Sequence, residues 1–407
     1  MIPVLAWRNI WRNKRRTLIT AASIFVAVFL SLVMRSIQTG TFNNIIHNVV
    51  SSYSGYIQVH RKGYWGDKDI NNSFSVPDSL VQMLRGTENI GDVLPRLESF
   101  ALASSGLKTK GVVVVGIDPE AEDKLTGMKG RILAGRYLFR SDPGILVSGR
   151  TAEFFGIGPG DTLVLIGQGY HGTSAAGKWP VTGIVHFNSP QLDSRMVILP
   201  LPLAQSFYEA GQNVTSLVLR LKDPSKLKKT MKAIGKTGIP EHFEVMSWDE
   251  MMPELVQFVQ TKTTSSRIMI GILYMIVGFG IFGTLLMMTI ERIRETGMMI
   301  SLGMQKVKIA FMVLLESVFI GLVGMAAGIA ASFPIILYFS SHPVRLAGQV
   351  AKTYERFGFE SMICFEPLSG YVLNNTLVIL VLVLVAAIYP LQKISRLDLV
   401  FALHYKV

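Results

Sequence analysis

The chain has 407 residues, of which 49% are hydrophobic and only 17% charged, with a formal net charge of +12. Such an excess of cations would serve nucleic acid if they shared one folded face. Here Lys and Arg gather in short flanks beside apolar runs, which argues against nucleic acid and for membrane spans. The single cysteine, Cys364, excludes an intrachain disulfide or a cysteine-built zinc cluster and reads as a small packing residue.

Residues 1–16 carry Arg8, Arg12, Lys14, Arg15 and Arg16 without an acid, and Leu5, Trp7, Ile10 and Trp11 supply apolar and aromatic surface. This pattern predicts a basic amphipathic helix at the membrane interface. The uncharged stretch that follows predicts a first transmembrane helix over 17–37, since roughly 20 apolar residues cross a bilayer. A basic flank before an apolar core also fits a signal peptide, but no small-x-small site closes this one, so an uncleaved anchor is expected.

The positive-inside rule places that flank in the cytoplasm and 38–266 outside. In 38–266 the charges are roughly balanced and no long apolar run occurs. Gly111-Val-Val-Val-Val-Gly-Ile, Thr162-Leu-Val-Leu-Ile, Val181-Thr-Gly-Ile-Val, Arg195-Met-Val-Ile-Leu and Ser216-Leu-Val-Leu-Arg-Leu predict strands, being short, β-branched and bounded by Gly, Pro or Asp. Helices are expected over 151–155, 203–210, 224–234 and 247–260. At about 230 residues the segment allows two subdomains, although no linker marks a boundary.

Gly167-Gln-Gly169-Tyr-His-Gly172 has dinucleotide-loop spacing, and Gly172-Thr-Ser-Ala-Ala-Gly177-Lys178 lacks only the final hydroxyl of a phosphate loop, which Trp179 cannot supply. Both read as a glycine-rich turn between strands. Gly278-Phe-Gly280-Ile-Phe-Gly283 lies inside a span and reads as close helix packing. No HExxH or Gly-x-Ser-x-Gly motif occurs. Asp118, Glu120, Asp249 and Glu250 read as turn and helix-start acids, so no catalytic or metal site is expected.

A second span is predicted over 267–290, uncharged from Ile268 onward, and it returns the chain to the cytoplasm. There 291–308 is expected as a short helix. If helical, Ile293, Gly297, Ile300, Met304 and Val307 share a narrow apolar face fit for docking into a groove, leaving Arg292, Glu295 and Lys306 elsewhere on its surface. The alternative is a solvated loop helix. The third span, 309–338, contains Glu316, the only acid in the spans so drawn. An acid there costs about 2 to 3 kcal/mol, so it should meet a basic or backbone partner; a proton relay would need further ionisable members. Gly321, Gly324 and Gly328 are expected at close helix contacts. An exported loop over 339–367, a fourth span over 368–391 and a cytoplasmic tail over 392–407 complete the topology. The fold class is a membrane protein with four transmembrane α-helices and a large mixed α/β extracytoplasmic domain.

Glu291-Arg-Ile-Arg-Glu-Thr-Gly297, Leu302-Gly303, Leu315-Glu316-Ser317 and Gly321-Leu-Val-Gly324 resemble, in order, the signature of the FtsX-like ABC-transporter permease family, of MacB and LolC/LolE type. The opening Leu5-Ala-Trp-Arg-Asn-Ile-Trp-Arg resembles the family's start. Gly116-Ile-Asp-Pro, Gly135-Arg, Ile157-Gly-Pro-Gly-Asp161 and Leu192-Asp-Ser-Arg resemble landmarks of its exported domain. Tyr389-Pro390, Ser395-Arg-Leu-Asp398 and Ala402-Leu403 resemble its closing motif, from which Leu399, Phe401 and His404 depart.

The resemblance implies a multi-pass protein of the bacterial inner membrane with both termini cytoplasmic. It makes Glu291, Arg292, Arg294, Glu295, Gly297, Ile300, Gly303 and Met304 an ATPase-coupling segment. No cofactor is expected in this chain, ATP and Mg being bound by a partner cytoplasmic ABC ATPase dimer. A second permease subunit, identical or paralogous, membrane lipid, a lipoprotein cargo and a periplasmic carrier complete the implied partners. The implied function is lipoprotein release. MacB-like export of small molecules or peptides and FtsX-like regulation of a cell-wall hydrolase are the alternatives.

Overall fold

The computed structural model describes residues 2–12, 14–356, 361–367 and 370–396. Asp398, Leu399, Phe401, His404, the Ala402-Leu403 pair and the first two residues of the predicted fourth span, Leu368 and Ser369, lie outside the described residues. The described chain forms two compact units, one drawn from Met1–Phe42, Phe258–Arg345 and Met362–Val407, the other from Asn43–Gln257 and Leu346–Ser361.

In the first unit, Lys14–Val49, Pro253–Glu291, Lys306–Ser341 and Tyr371–Ser395 are four helices long and apolar enough to cross a membrane. They are called spans 1 to 4 below. The first three, of 36, 39 and 36 residues, measure about 54 to 58 Å, well beyond the roughly 30 Å hydrocarbon layer. The helices therefore run past the predicted spans, because hydropathy marks only the apolar stretch while helical hydrogen bonding continues through polar residues on either side. The amphipathic segment is helical over Ile2–Arg12, and residues 14 and 15 are helical as well.

Ile24 and Val28 of span 1, Ile281 of span 2, Ile320 of span 3 and Val383 of span 4 meet in the bundle core. Beyond span 3, Val344–Arg345 pairs antiparallel with Met362–Ile363. The returning chain then crosses span 1 at Gly40, where a Cβ would come within 2.5 Å of the backbone at 364–366. Ser36 fastens the crossing by donating its hydroxyl to the Glu366 carbonyl at 2.6 Å and accepting the Glu366 N–H at its own carbonyl at 3.0 Å.

The second unit holds β1 Ile57–Arg61, β2 Ile90–Ser105, β3 Lys108–Ile117, β4 Ile132–Gly135, β5 Ile145–Ser148, β6 Thr162–Gln168, β7 Ser174–Val185, β8 Met196–Pro200, β9 Ser216–Leu221 and β10 Phe243–Ser247. Strands β10-β1-β9-β2 form an antiparallel sheet. Helices Asp78–Arg85 and Leu227–Ile234 provide its crossovers, so this is a split βαβ sandwich of ferredoxin-like order. The rest is inserted between its second and third strands. There β2, β3, β8, β5, β7 and β6 pair in turn and β6 pairs back to β2, closing a six-stranded barrel.

Two subdomains do exist, and the boundary falls inside one strand. Residues 90–96 of β2 pair with β9, whereas 97–105 pair with β3 and, within that stretch, 101–104 pair with β6. An unbroken strand has no linker composition to reveal it. The alternation of β2 turns Ala101 and Ala103 into the barrel core beside Val112, Leu163 and Leu165.

The five strands expected from sequence are all present within β3, β6, β7, β8 and β9. The helix expected over 247–260 is divided: Trp248–Met251 is a separate turn with a Ser247/Glu250 capping box, and a new helix starts at Pro253. The glycine-rich 167–178 stretch closes the β6–β7 hairpin through Tyr170–Gly172, with no helix following to bind a phosphate.

Candidate coupling site

The segment predicted as one helix over 291–308 is three pieces. Span 2 ends at Glu291, a separate helix runs Ile293–Ser301, and span 3 begins at Lys306. Gly303 makes the turn between the last two with φ +91°, a conformation that favours glycine, and Met304 lies in the same turn.

The break at Arg292 carries the site. Instead of lying on the surface as expected, its side chain turns into the bundle and donates to Glu316 Oε2 from Nη1 at 2.6 Å. Asn9 of the amphipathic helix donates to the other carboxylate oxygen, Oε1, at 2.6 Å. Arg292 Nη2 reaches back to the Asn9 carbonyl at 3.5 Å. Glu316 is only 4% exposed and sits ten residues into its helix, about 15 Å from its start. One guanidinium nitrogen and an amide thus satisfy the two oxygens of an acid that lipid would not tolerate unpaired. A cavity of about 30 Å³ adjoins the group, with Asn9, Arg292 and Glu316 in its wall.

The knot joins three elements: the amphipathic helix, the 292 junction and span 3. Trp7 packs edge-on against Phe319 at 5.8 Å, and Arg12 bridges to Glu295 at 2.5 Å. The second pair is half-exposed, so it guides orientation more than it stabilises.

The predicted apolar stripe is divided: its first residues face inward, whereas Val307 at its far end faces out. Ile293 and Gly297 are buried, and Ile293 packs with Ile290 and Ile300. Burying an isoleucine face against the neighbouring helices removes more apolar surface from water than leaving it for a partner. The exposed apolar residues of the segment are Met298, Leu302 (88% exposed) and Val307 (78%), with Arg294 also outward. Periodicity located the stripe but not the side it faces.

Gly324 and Gly328 pack on span 1: a Cβ at Gly324 would lie 2.7 Å from the Ala21 carbonyl and 2.9 Å from Ile24 Cβ, and one at Gly328 2.8 Å from Val28 Cβ. Gly321 meets Val383 of span 4 at 3.4 Å. Gly328→Leu should therefore push spans 1 and 3 apart and destabilise the bundle by about 1 to 3 kcal/mol, read as a lower melting temperature in detergent. Ala330→Leu, at an exposed position two residues further along the same helix, serves as the control and should leave the melting temperature unchanged. By contrast Gly280 and Gly283 of span 2 meet nothing within 4 Å in this chain, and Gly278 only Leu382 at 3.9 Å, so the close packing expected there is absent among the described residues.

In the second unit a comparable buried pair was not foreseen. Arg96, 1% exposed, donates to Glu122 through Nε at 3.0 Å and Nη2 at 2.5 Å, and its Nη1 donates to the Tyr53 carbonyl. Arg96 is the last β2 residue paired with β9, at the point where the strand passes into the barrel. Tyr53 lies in the π-helical turn Val50–Ser54 that follows span 1's helix, and Glu122 in helix Pro119–Thr126 after β3. Burial works against the guanidinium charge, but Glu122 more than offsets it and holds the Arg96 pKa above its ordinary value. Two of the exported-domain motifs supply acceptors to backbone groups: Asp118 caps the Pro119–Thr126 helix at the Ala121 N–H, and Asp193 accepts the nearby N–H of Phe187 and, from more than forty residues earlier, those of Gly149 and Arg150.

Four membrane-length helices, a large α/β domain between the first and second in the chain, and a short helix pinned at the junction of spans 2 and 3 define a multi-pass membrane protein with one large α/β domain. A family model described as the MacB-like periplasmic core domain matches residues 17–237, and one described as the FtsX-like permease C-terminal matches 267–399. The chain belongs to this FtsX-like ABC-transporter permease family, and its α/β unit is the family's periplasmic domain. It is 23% identical over 353 residues to the macrolide export ATP-binding/permease protein MacB of Hahella chejuensis, covering 83% of this chain and 52% of that one. It is 23% identical over 331 residues to the lipoprotein-releasing system transmembrane protein LolE of Haemophilus influenzae, covering 79% of each. The periplasmic region of MacB from Actinobacillus actinomycetemcomitans aligns with a TM-score of 0.34 at 16% identity, over 53% of this chain and 97% of that one. The chain thus spans about half the length of the MacB relative and four fifths of the LolE relative.

Proposed function

We propose that this permease subunit transmits the motion of a separate cytoplasmic ATPase pair to its periplasmic domain, and that its cargo is a lipid-modified protein released from the membrane. The Asn9–Arg292–Glu316 knot is the observation that carries the coupling. A push on the 302–307 turn reaches Arg292, and because that residue is fixed to span 3 and to the amphipathic helix, the push moves three elements as one body. Met298, Leu302 and Val307 form the docking surface, in place of the buried Ile293–Gly297 stripe. ATP and Mg stay on the ATPase, both termini face the cytoplasm of a bacterial inner membrane, and a second identical or paralogous permease completes the assembly.

The match to LolE over four fifths of both chains supports lipoprotein as cargo, and a periplasmic carrier would be its recipient. The match to MacB supports the second reading, export of small molecules or peptides. An FtsX-like regulator of a cell-wall hydrolase is disfavoured by the size of the 43–257 domain.

The test is hydrolysis by the chain copurified with its ATPase. Acylated protein should stimulate the rate, while macrolides or short peptides should not; the reverse pattern installs the export reading, and binding of a hydrolase without stimulation installs the regulator. In the same assay, Leu302→Asp with Val307→Asp should lower the stimulated rate at least tenfold in a chain that still inserts, as loss of an apolar hot spot does. An unchanged rate would refute the docking surface.

A further inference from the structure

At the end of the bundle that carries the 292 junction, a groove of about 600 Å³ opens between the start of span 1 and the end of span 2. Its polar rim is Arg12, Lys14 and Arg15, faced by one carboxylate, Glu291. Arg12 is engaged by Glu295, whereas Lys14 and Arg15 are exposed. The other part of the wall is apolar: Ile19 is 50% exposed and Met287 55%.

The two kinds of wall are stacked in depth. Ile19 is one turn further along span 1 than Arg15, and Met287 one turn further from the helix end than Glu291, so each lies about 6 Å deeper. Cations thus stand at the level where the uncharged run begins, with open apolar surface directly beneath. Trp11 is exposed on the adjoining helix, as expected of an aromatic at the headgroup layer.

We propose that this groove binds the phosphate of an anionic glycerophospholipid, with the acyl chains running down past Ile19 and Met287. A soluble phosphate would satisfy the rim but leave the apolar wall uncovered. With Arg12 paired to Glu295, Lys14 and Arg15 face the single carboxylate of Glu291 and leave a net positive rim, which favours an anionic headgroup over a zwitterionic one. The site is independent of the cargo that the permease moves.

Native mass spectrometry of the full chain from mixed micelles of equal phosphatidylglycerol, phosphatidylethanolamine and phosphatidylcholine tests this. One phosphatidylglycerol per chain should be retained about tenfold over either other lipid. Lys14→Gln with Arg15→Gln, and separately Met287→Glu, should lose that retention, while Lys393→Gln with Arg396→Gln should keep it. Melting temperatures confirm that each variant is folded. Equal retention of the three lipids, or equal loss in the Lys393/Arg396 variant, overturns the site. Displacement of the lipid by millimolar glycerol 3-phosphate reassigns the rim to free phosphate and overturns the lipid proposal as well.

Discussion

Glu316→Ala should destabilise the membrane unit by roughly 3 to 5 kcal/mol, among the largest single-residue effects in the chain, because it leaves the Arg292 guanidinium buried without its counter-ion. Asn9 Nδ2 loses its acceptor in the same step. Replacing both charges together, Arg292→Met with Glu316→Leu, should recover most of that stability, since no isolated charge remains. Denaturation in detergent reads the ordering: the single variant far below both the double variant and the wild type. A single variant as stable as the wild type would show that water already reaches this carboxylate.

The same residue separates a latch from a proton carrier. Glu316→Gln keeps an acceptor for Asn9 and removes only the charge, so as a latch it should lower stability and leave cargo-stimulated hydrolysis within a few-fold of the wild type. A well-folded Glu316→Gln chain whose partner ATPase still hydrolyses ATP while no cargo moves would instead assign it to proton transfer.

The second large effect is expected at the strand shared by the two periplasmic subdomains. Glu122→Ala should cost about 3 to 5 kcal/mol, since Arg96 is almost wholly enclosed and Glu122 supplies its bidentate partner. Arg96 also holds the Tyr53 carbonyl, so the damage should spread to three places at once. Hydrogen exchange on the full chain should accelerate in helix Pro119–Thr126, in β2 around Arg96 and in the Val50–Ser54 turn, and stay slow in β6 and β7, which the pair does not touch. Acceleration limited to the Pro119–Thr126 helix would make Glu122 a local helix contact and remove the link.

The two ion pairs stand at comparable positions. Each lies where a long membrane helix gives way to a different element: span 2 to the short helix Ile293–Ser301, and span 1 to the turn before β1. A rod transmits displacement only if its end is fixed to what it must move, and a buried, hydrogen-bonded charge pair fixes orientation more narrowly than apolar packing does.

Local composition was enough to find four membrane-length apolar helices, the glycine contacts of span 3, five of the strands and the family. Those properties follow from local composition: uninterrupted apolar runs, small residues at four-residue spacing and alternation within a few positions. It also determined that Glu316 needs a partner, because an acid amid apolar residues is a local fact. That the partners are Arg292, 24 residues earlier, and Asn9, from the other end of the chain, comes from the fold alone. It decided too that Ile293 and Gly297 face inward while Met298 and Leu302 face out, and that β2 belongs to two subdomains. The physical reason is common to all three: periodicity places side chains on the faces of an element, but which face is covered depends on what folds against it, and that neighbour is distant in sequence.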